Sequence, residues 1–365
     1  MGNKNLYWIW LSQINGIGPI TCRRLLDKFK IPENIYKASK EDFKNIDGIG
    51  EGITNKILNN KDLDISKKII ENCYKNNIEI TNRYESNFPE SIKRYEDMPI
   101  LLYYKGNINS TLNGVSIIGT RRCSDYGKKV AVEAAKFLVE NNIPVISGMA
   151  KGIDSYAHTT AIKERGYTVA VLGCGLDICY PKEHNLLMSK IIENGLVISE
   201  YPPVTKPSNY NFPKRNRLIS AISEKILIVE AGENSGALIT VKYAREQNKE
   251  ILVVPNNIYS DESKGSNKLI LEGEKIFLSN DQLLIKDRYY MENKNSNLVV
   301  NNEDSRIEKL ILSLLYNKPK TLDSLISESS LRIDELIDSI INLELKDKVY
   351  KKGVYYHLEK TPLEY

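Results

Sequence analysis

Two runs decide the fold: Val115-Ser116-Ile117-Ile118-Gly119-Thr120-Arg121-Arg122 and Val145-Ile146-Ser147-Gly148-Met149-Ala150-Lys151-Gly152-Ile153-Asp154. Each is an apolar, β-branched stretch that stops at a glycine. A buried parallel strand reads this way when it opens into a ligand-facing loop. Between them, Ser124 to Asn142 sets Val130, Ala134, Phe137 and Leu138 at helical spacing. Both loops therefore fall on the carboxyl ends of neighbouring strands, the edge at which open α/β sheets bind ligands. Glycines let backbone amides approach a ligand, Arg121 and Lys151 add positive charge, and Asp154 is placed to cap the next helix. Together these predict an anion site.

Working outward, further strands are predicted at Thr168–Gly173, Val197–Glu200, Lys225–Glu230 and Glu250–Pro255, with helical patterns such as Tyr156–Arg165 and Leu238–Gln247 between them. This is the α/β pattern of a doubly wound, Rossmann-like parallel sheet. No Gly-x-Gly-x-x-Gly follows the first strand and no Gly-Lys-Ser/Thr loop occurs, so dinucleotide and Walker-type readings find no support. The loop Gly173–Pro181 carries no cation and reads as lining. In Tyr210–Leu218, by contrast, Lys214, Arg215 and Arg217 stand beside Tyr210 and Phe212, with Asn216 among them. Cations that track a backbone next to a ring that stacks a base suit single-stranded nucleic acid, and one stacked base contributes roughly 1–3 kcal/mol. Ser235, Gly236 and Ala237 open the next helix and read as a second phosphate seat.

The candidate contact set is Gly119, Thr120, Arg121, Ser147, Gly148, Lys151, Phe212, Lys214, Arg215, Asn216, Arg217, Ser235 and Gly236. No catalytic set emerges: there is no nucleophile elbow, no metal cluster and no His paired with an acid at a telling spacing. His158 reads as a structural histidine. Neither a metal nor a cofactor is expected.

Residues 1–65 read as short helices in which Ile14-Asn15-Gly16-Ile17-Gly18-Pro19 matches Ile46-Asp47-Gly48-Ile49-Gly50-Glu51. Apolar-x-Gly-apolar-Gly before a helix is the helix-hairpin-helix signature, and two copies suggest a paired SAM-like module; a purely structural cap is the other reading. Residues 66–286 hold the sheet domain, approached through a helix at Ile69–Asn76 and an extended Met98–Tyr104. Residues 287–302 are polar and Asn-rich, a linker. Residues 303–365 show helices at Ile307–Tyr316, Leu322–Ser327 and Ile333–Leu345 and a hairpin at Lys348–His357, a winged-helix pattern. Its third helix carries Asp334, Glu335, Asp338 and Glu344, which would repel phosphates, so a protein contact is the preferred reading there.

Composition sets outer bounds. A chain of 365 residues, 41% hydrophobic and 27% charged, has room for two or three domains, and a net charge of +4 places nucleic-acid affinity in a local patch if anywhere. Five cysteines without a Cys-x-x-Cys pair read as reduced thiols. With no apolar run of signal or membrane-spanning length, the expectation is a soluble cytoplasmic protein.

Six ordered motifs resemble the DNA-processing protein A family (DprA, also called Smf). They are Gly-Thr-Arg-Arg-x-Ser-x-Tyr-Gly from Gly119, Ser-Gly-Met-Ala-Lys-Gly-Ile-Asp-x-x-Ala-His from Ser147, Gly-Cys-Gly-Leu-Asp-x-x-Tyr-Pro from Gly173, Ser-Glu-Tyr-Pro-Pro from Ser199, Phe-Pro-Lys-Arg-Asn-Arg from Phe212 and Glu-Ala-x-x-x-Ser-Gly-Ala-Leu-Ile-Thr from Glu230. The resemblance implies a homodimer that binds single-stranded DNA and loads a RecA-type recombinase during natural transformation, and it implies no enzyme. The family's Gly-Ser-Arg motif falls on Gly119, Thr120 and Arg121, with the hydroxyl kept. Lys151 stands where the family often has Arg, which keeps the charge and loses the bidentate fork. Its Val-Pro-Gly falls on Val254-Pro255-Asn256, where Asn is expected to take the left-handed turn.

Two other classes compete. The sheet is similar to that of nucleoside-monophosphate phosphoribohydrolases, a nucleotide-processing alternative, but those enzymes carry a catalytic Glu after a Pro-Gly-Gly-x-Gly-Thr loop. Here the helix after Ala231-Gly232-Glu233-Asn234-Ser235-Gly236 opens without an acid. A pure scaffold is the third reading, and it predicts no retention on single-stranded DNA.

Overall fold

The structure is a computed structural model that describes residues 5–108, 112–285, 306–316, 318–329, 331–346 and 348–358. The linker expected at 287–302 lies outside the described residues. Two compact units result, Met1–Ile285 and Lys286–Tyr365.

The first unit is built on a nine-stranded sheet: β1 (Glu79–Asn82), β2 (Leu101–Gly106), β3 (Gly114–Ile118), β4 (Val145–Ser147), β5 (Thr168–Leu172), β6 (Leu196–Ser199), β7 (Ser223–Ile228), β8 (Glu250–Val253) and β9 (Lys275–Ile276). Their order is β1-β2-β6-β5-β4-β3-β7-β8-β9. From β6 to β9 every pairing is parallel, whereas β1–β2 and β2–β6 are antiparallel. The expected all-parallel sheet is thus corrected at one edge. Met98–Tyr104, read as an approach, joins the sheet through β2, while β1 and β9 are too short to signal themselves. From β3 the chain steps outward to β6 and then returns to lay β7 on the other side of β3. The topological switch point, where such sheets open a ligand crevice, therefore lies between β3 and β7.

Alternate residues of the central strands face opposite layers. Val115, Ile117, Val145 and Leu227 pack under the helices Asp125–Glu140 and Ile153–Lys163. Ile118, Ile146, Val169, Val171 and Ile226 pack under Asn211–Ala221 and Ala237–Glu246. With helices on both faces, both strand faces are apolar, which is why the strands read as continuous hydrophobic runs.

Five amino-terminal helices (Leu6–Gln13, Pro19–Phe29, Pro32–Lys37, Glu51–Asn59, Asp64–Lys75) share one core with the sheet. Trp8, Leu25 and Phe43 are buried in the same cluster as Tyr103, Leu172 and Val197. Both glycine turns appear as read: Gly16 and Gly48 adopt φ of 77° and 72°, and helices start after Gly18 and Gly50.

The second unit has helices Arg306–Leu315, Leu322–Ser329 and Ile333–Leu345. Strands β10 (Lys320–Thr321), β11 (Val349–Lys352) and β12 (Tyr355–Leu358) form a small antiparallel sheet with β12 in the middle. Its core gathers Ile311, Leu325, Leu336, Leu343 and Val349. No helix among the described residues is long and apolar enough to cross a membrane.

Candidate functional site

A cleft of about 700 Å³ opens at the switch point. Gly119, Thr120, Arg121 and Arg122 border it after β3, Gly232 to Gly236 after β7, and Phe212, Arg215 and Asn216 from the helix Asn211–Ala221. The two glycine-ended runs and the basic run therefore meet at one rim, with Asp154 and Glu262 also on its wall.

Under the rim lies a rigid polar frame. The Asp154 carboxylate accepts the Gly148 and Ala150 amides at 3.1 and 3.3 Å. It thus caps its own preceding loop. The helix N-cap is Gly152, at φ 76°, so the expected capping by Asp154 is corrected. The Arg215 guanidinium donates to Gly148 O and Asn216 Oδ1, each at 3.0 Å, and also to Val171 O. A Cβ on Gly148 would sit 2.7 Å from Arg215 Nη2 and 3.0 Å from Asp154 Oδ2, so glycine is required there by close packing. Burial pushes the Asp154 carboxyl above its ordinary range, and the Arg215 charge pulls it back.

These contacts correct the expectation that Arg215 and Arg217 present free guanidinium groups. Both are buried, at 7% and 4% exposure. Arg217 Nη2 meets Glu200 Oε2 at 2.5 Å, and its Nη1 donates to Asp97 O at 2.6 Å. In low dielectric an arginine needs such partners, so two of the three cations in the basic run became internal braces. Ser147 is buried too, its hydroxyl donating to Ile117 O at 2.7 Å. Asn216 donates to Gly236 O at 3.1 Å, which ties the helix to the opposite lip.

The accessible part of the set is smaller. Arg121 and Arg122 are exposed on the cleft. Lys151 is exposed and pairs with Glu183, whose carboxyl is lowered chiefly by that hydrogen bond. Lys214 lies 3.7 Å from Glu200 and over the Tyr201 ring, 5.8 Å from its centroid. Phe212, half-buried, stacks on Tyr180 at 5.3 Å and 28°.

Some amides read as phosphate donors are already committed. Thr120 N donates to Glu230 O at 2.8 Å, continuing the β3–β7 ladder, and Ser235 N donates to Gly232 O at 3.0 Å. The Ser235 hydroxyl accepts from Ala237 N at 3.3 Å, while Gly236 remains exposed.

One node escaped the sequence reading. The buried Glu230 carboxylate accepts from Ser124 N at 2.9 Å, from the Ser124 hydroxyl and from Asn256 Nδ2 at 2.8 Å. Asn256 does not take the expected left-handed turn, since its φ is not positive. Its amide instead braces the carboxylate. Asn in place of glycine was the signal, but its carboxylate partner lies on another strand end. Thr120 Oγ1 adds a bond to Glu262 at 2.9 Å. His158 is buried with Nδ1 at 2.7 Å from Thr168 Oγ1, and burial lowers its pKa to about 3, which fits a structural role.

Comparison with known proteins matches this architecture. Residues 79–287 fit the family model of DNA recombination-mediator protein A, and residues 11–59 that of a SAM-like helix-hairpin-helix tandem. Protein Smf of Synechocystis is 34% identical over 287 residues, 77% of this chain and 72% of that protein. DNA processing protein DprA of Streptococcus pneumoniae is 38% identical over 198 residues, 54% of this chain and 70% of the relative. An X-ray structure of the S. pneumoniae protein superposes with a TM-score of 0.64 at 30% identity, covering 77% of this chain and 97% of that one. A Helicobacter pylori DNA processing protein A, solved to show its single-stranded DNA binding mode, superposes with a TM-score of 0.50 at 28% identity over 60% of this chain and 98% of that one. Since the first family model spans more than half of the chain and the Smf relative is matched over most of its length, this chain belongs to the DNA recombination-mediator protein A family.

Proposed function

We propose that the protein is a single-stranded DNA-binding mediator that acts in recombination or natural transformation, and that it protects incoming strands and delivers them to a RecA-type recombinase. The carrying observation is that Arg121 and Arg122 stand exposed over a cleft that Phe212 also lines. Fixed cations beside an aromatic ring hold a phosphate chain and a stacked base with little sequence preference. Lys151 and Lys214, which do not line the cleft and are each shared with a carboxylate, extend the contact beyond it in this reading. In this reading Gly119, Thr120, Gly148, Asn216, Ser235 and Gly236 shape the groove, while Arg215 and Arg217 hold it rigid. The H. pylori relative, described for its single-stranded DNA binding, supports the assignment.

The reading extends to a cytoplasmic homodimer whose carboxyl-terminal unit is a winged helix that contacts protein. The division into 1–65, 66–286, 287–302 and 303–365 belongs to it as well. It needs no cofactor and assigns no catalysis. The helix Ala237–Glu246 has no acid in its first turn, which speaks against the phosphoribohydrolase alternative.

Fluorescence anisotropy with single- and double-stranded oligonucleotides of equal length tests the proposal. The expected result is preference for the single strand. Arg121→Ala should weaken binding on every sequence and flatten the salt dependence by roughly 0.7 in log-log slope, the value for one lost phosphate contact. If Arg121→Ala and Arg122→Ala both bind as wild type with an unchanged slope, the groove is elsewhere.

A further inference from the structure

A second basic site lies apart from the cleft and shares no lining residue with it. Helix Pro19–Phe29 carries Arg23 and Arg24, and the turn after β1 carries Arg83. With Asp27, Tyr84 and Glu96 they enclose a pocket of about 270 Å³ between the amino-terminal helices and the sheet domain. Arg83 Nη2 donates to Lys93 O at 3.0 Å. Its Nη1, and Nε and Nη2 of Arg23, are shielded from solvent and have no hydrogen-bond partner among the described residues. Asp27 and Glu96 line the same pocket without an ion pair to these arginines among the described residues. Burial, and then repulsion from Arg83, lowers the Arg23 pKa to about 10 against the opposing pull of Glu96, Asp97 and Asp27.

Buried donors without acceptors are rare in folded proteins, and a bound water or anion is what usually satisfies them. Guanidinium groups offer donors only, in a planar fork that matches an oxyanion. The helical repeat alone does not require the cluster, because the residue that corresponds to Arg23 in the second copy is the neutral Asn55. We propose that this pocket binds one phosphate group, anchored by Arg23 and Arg83. Inorganic phosphate and the terminal phosphate of a DNA strand present the same oxygens, and the pocket has room for such a group. The inference stands independently of the cleft.

The test uses the full chain carrying Arg121→Ala, so that the cleft contributes little. Sodium phosphate is titrated by calorimetry against sodium chloride of equal ionic strength. The expected result is saturable uptake of one phosphate per chain, weakened at least about tenfold by Arg23→Gln or Arg83→Gln through the loss of charge-assisted donors. Without phosphate, Arg23→Gln should not lower the unfolding temperature, because it removes two shielded donors that lack an acceptor among the described residues. A lowered temperature with phosphate uptake unchanged identifies a structural arginine and overturns the proposal, as does the absence of saturable uptake. A 5′-phosphorylated oligothymidylate that outcompetes its 5′-hydroxyl twin in an Arg23-dependent way places the phosphate on DNA. Equal competition by the two, together with uptake of the free ion, places it on inorganic phosphate. Both results support the pocket.

Discussion

Arg215→Ala separates a structural arginine from a binding arginine. Arg215 is 7% exposed and donates to Gly148 O, Val171 O and Asn216 Oδ1. It also faces Asp154, a buried carboxylate. Truncation leaves Asp154 with its two loop amides alone and strips two main-chain carbonyls of a donor. Breaking one partner of a buried charged pair costs about 3–5 kcal/mol. At about 2–4 °C per kcal/mol for a domain of this size, the expected fall in unfolding temperature is about 6–20 °C. Thermal unfolding of the full chain by circular dichroism reads this directly. The exposed Arg121→Ala should stay within about 0.5 kcal/mol of wild type in the same assay. A pH series adds a signature. Losing Arg215 raises an Asp154 carboxyl that burial already holds high, so the folded state takes up a proton before the unfolded chain does. The penalty is full above the folded pKa and fades as pH falls through it, so the Arg215→Ala deficit should shrink as pH falls through the raised range of Asp154 toward that of an ordinary carboxylate. If Arg215→Ala unfolds with wild type and loses only DNA binding, Arg215 is a direct contact and the bracing argument fails.

Other outcomes follow from the same frame. Gly148→Ala places a Cβ within 2.9 Å of Arg215 Cζ, and a loss of about 1–3 kcal/mol in denaturant unfolding is expected from the forced shift. Asn256→Gly removes the 2.8 Å bond to Glu230 and should destabilise by about 1–3 kcal/mol; a neutral result would show that the position serves backbone geometry after all. The His158 ring, with its pKa lowered to about 3, should show no NMR titration between about pH 5 and 8. Because the unfolded histidine protonates first, the stability it contributes is complete above about pH 6.5 and falls by about 1.4 kcal/mol per unit below it; His158→Gln should remove that slope.

What the sequence determined by itself follows from local physics. Apolar, β-branched runs identified β3 to β8, those of β3, β4 and β5 closing on a glycine, since a strand buried on both faces must be apolar on both. Glycine turns marked the two amino-terminal hairpins, where Gly16 and Gly48 adopt positive φ. The three carboxyl-terminal helices were legible from their spacing. Strands β1 and β9, of four and two residues, carry too little pattern to stand out.

Tertiary structure alone decided which charges are available to a ligand. Lys214, Arg215 and Arg217 look alike in the chain, yet Lys214 reaches solvent while its neighbours are drawn inward. Their partners, Gly148 and Val171 for Arg215 and Asp97 and Glu200 for Arg217, come from strands and loops distant in the chain. Whether a cation greets solvent or braces a core depends on the polar groups that folding brings within hydrogen-bond reach. That pairing is set by the order of strands in the sheet, which a local run of residues does not encode.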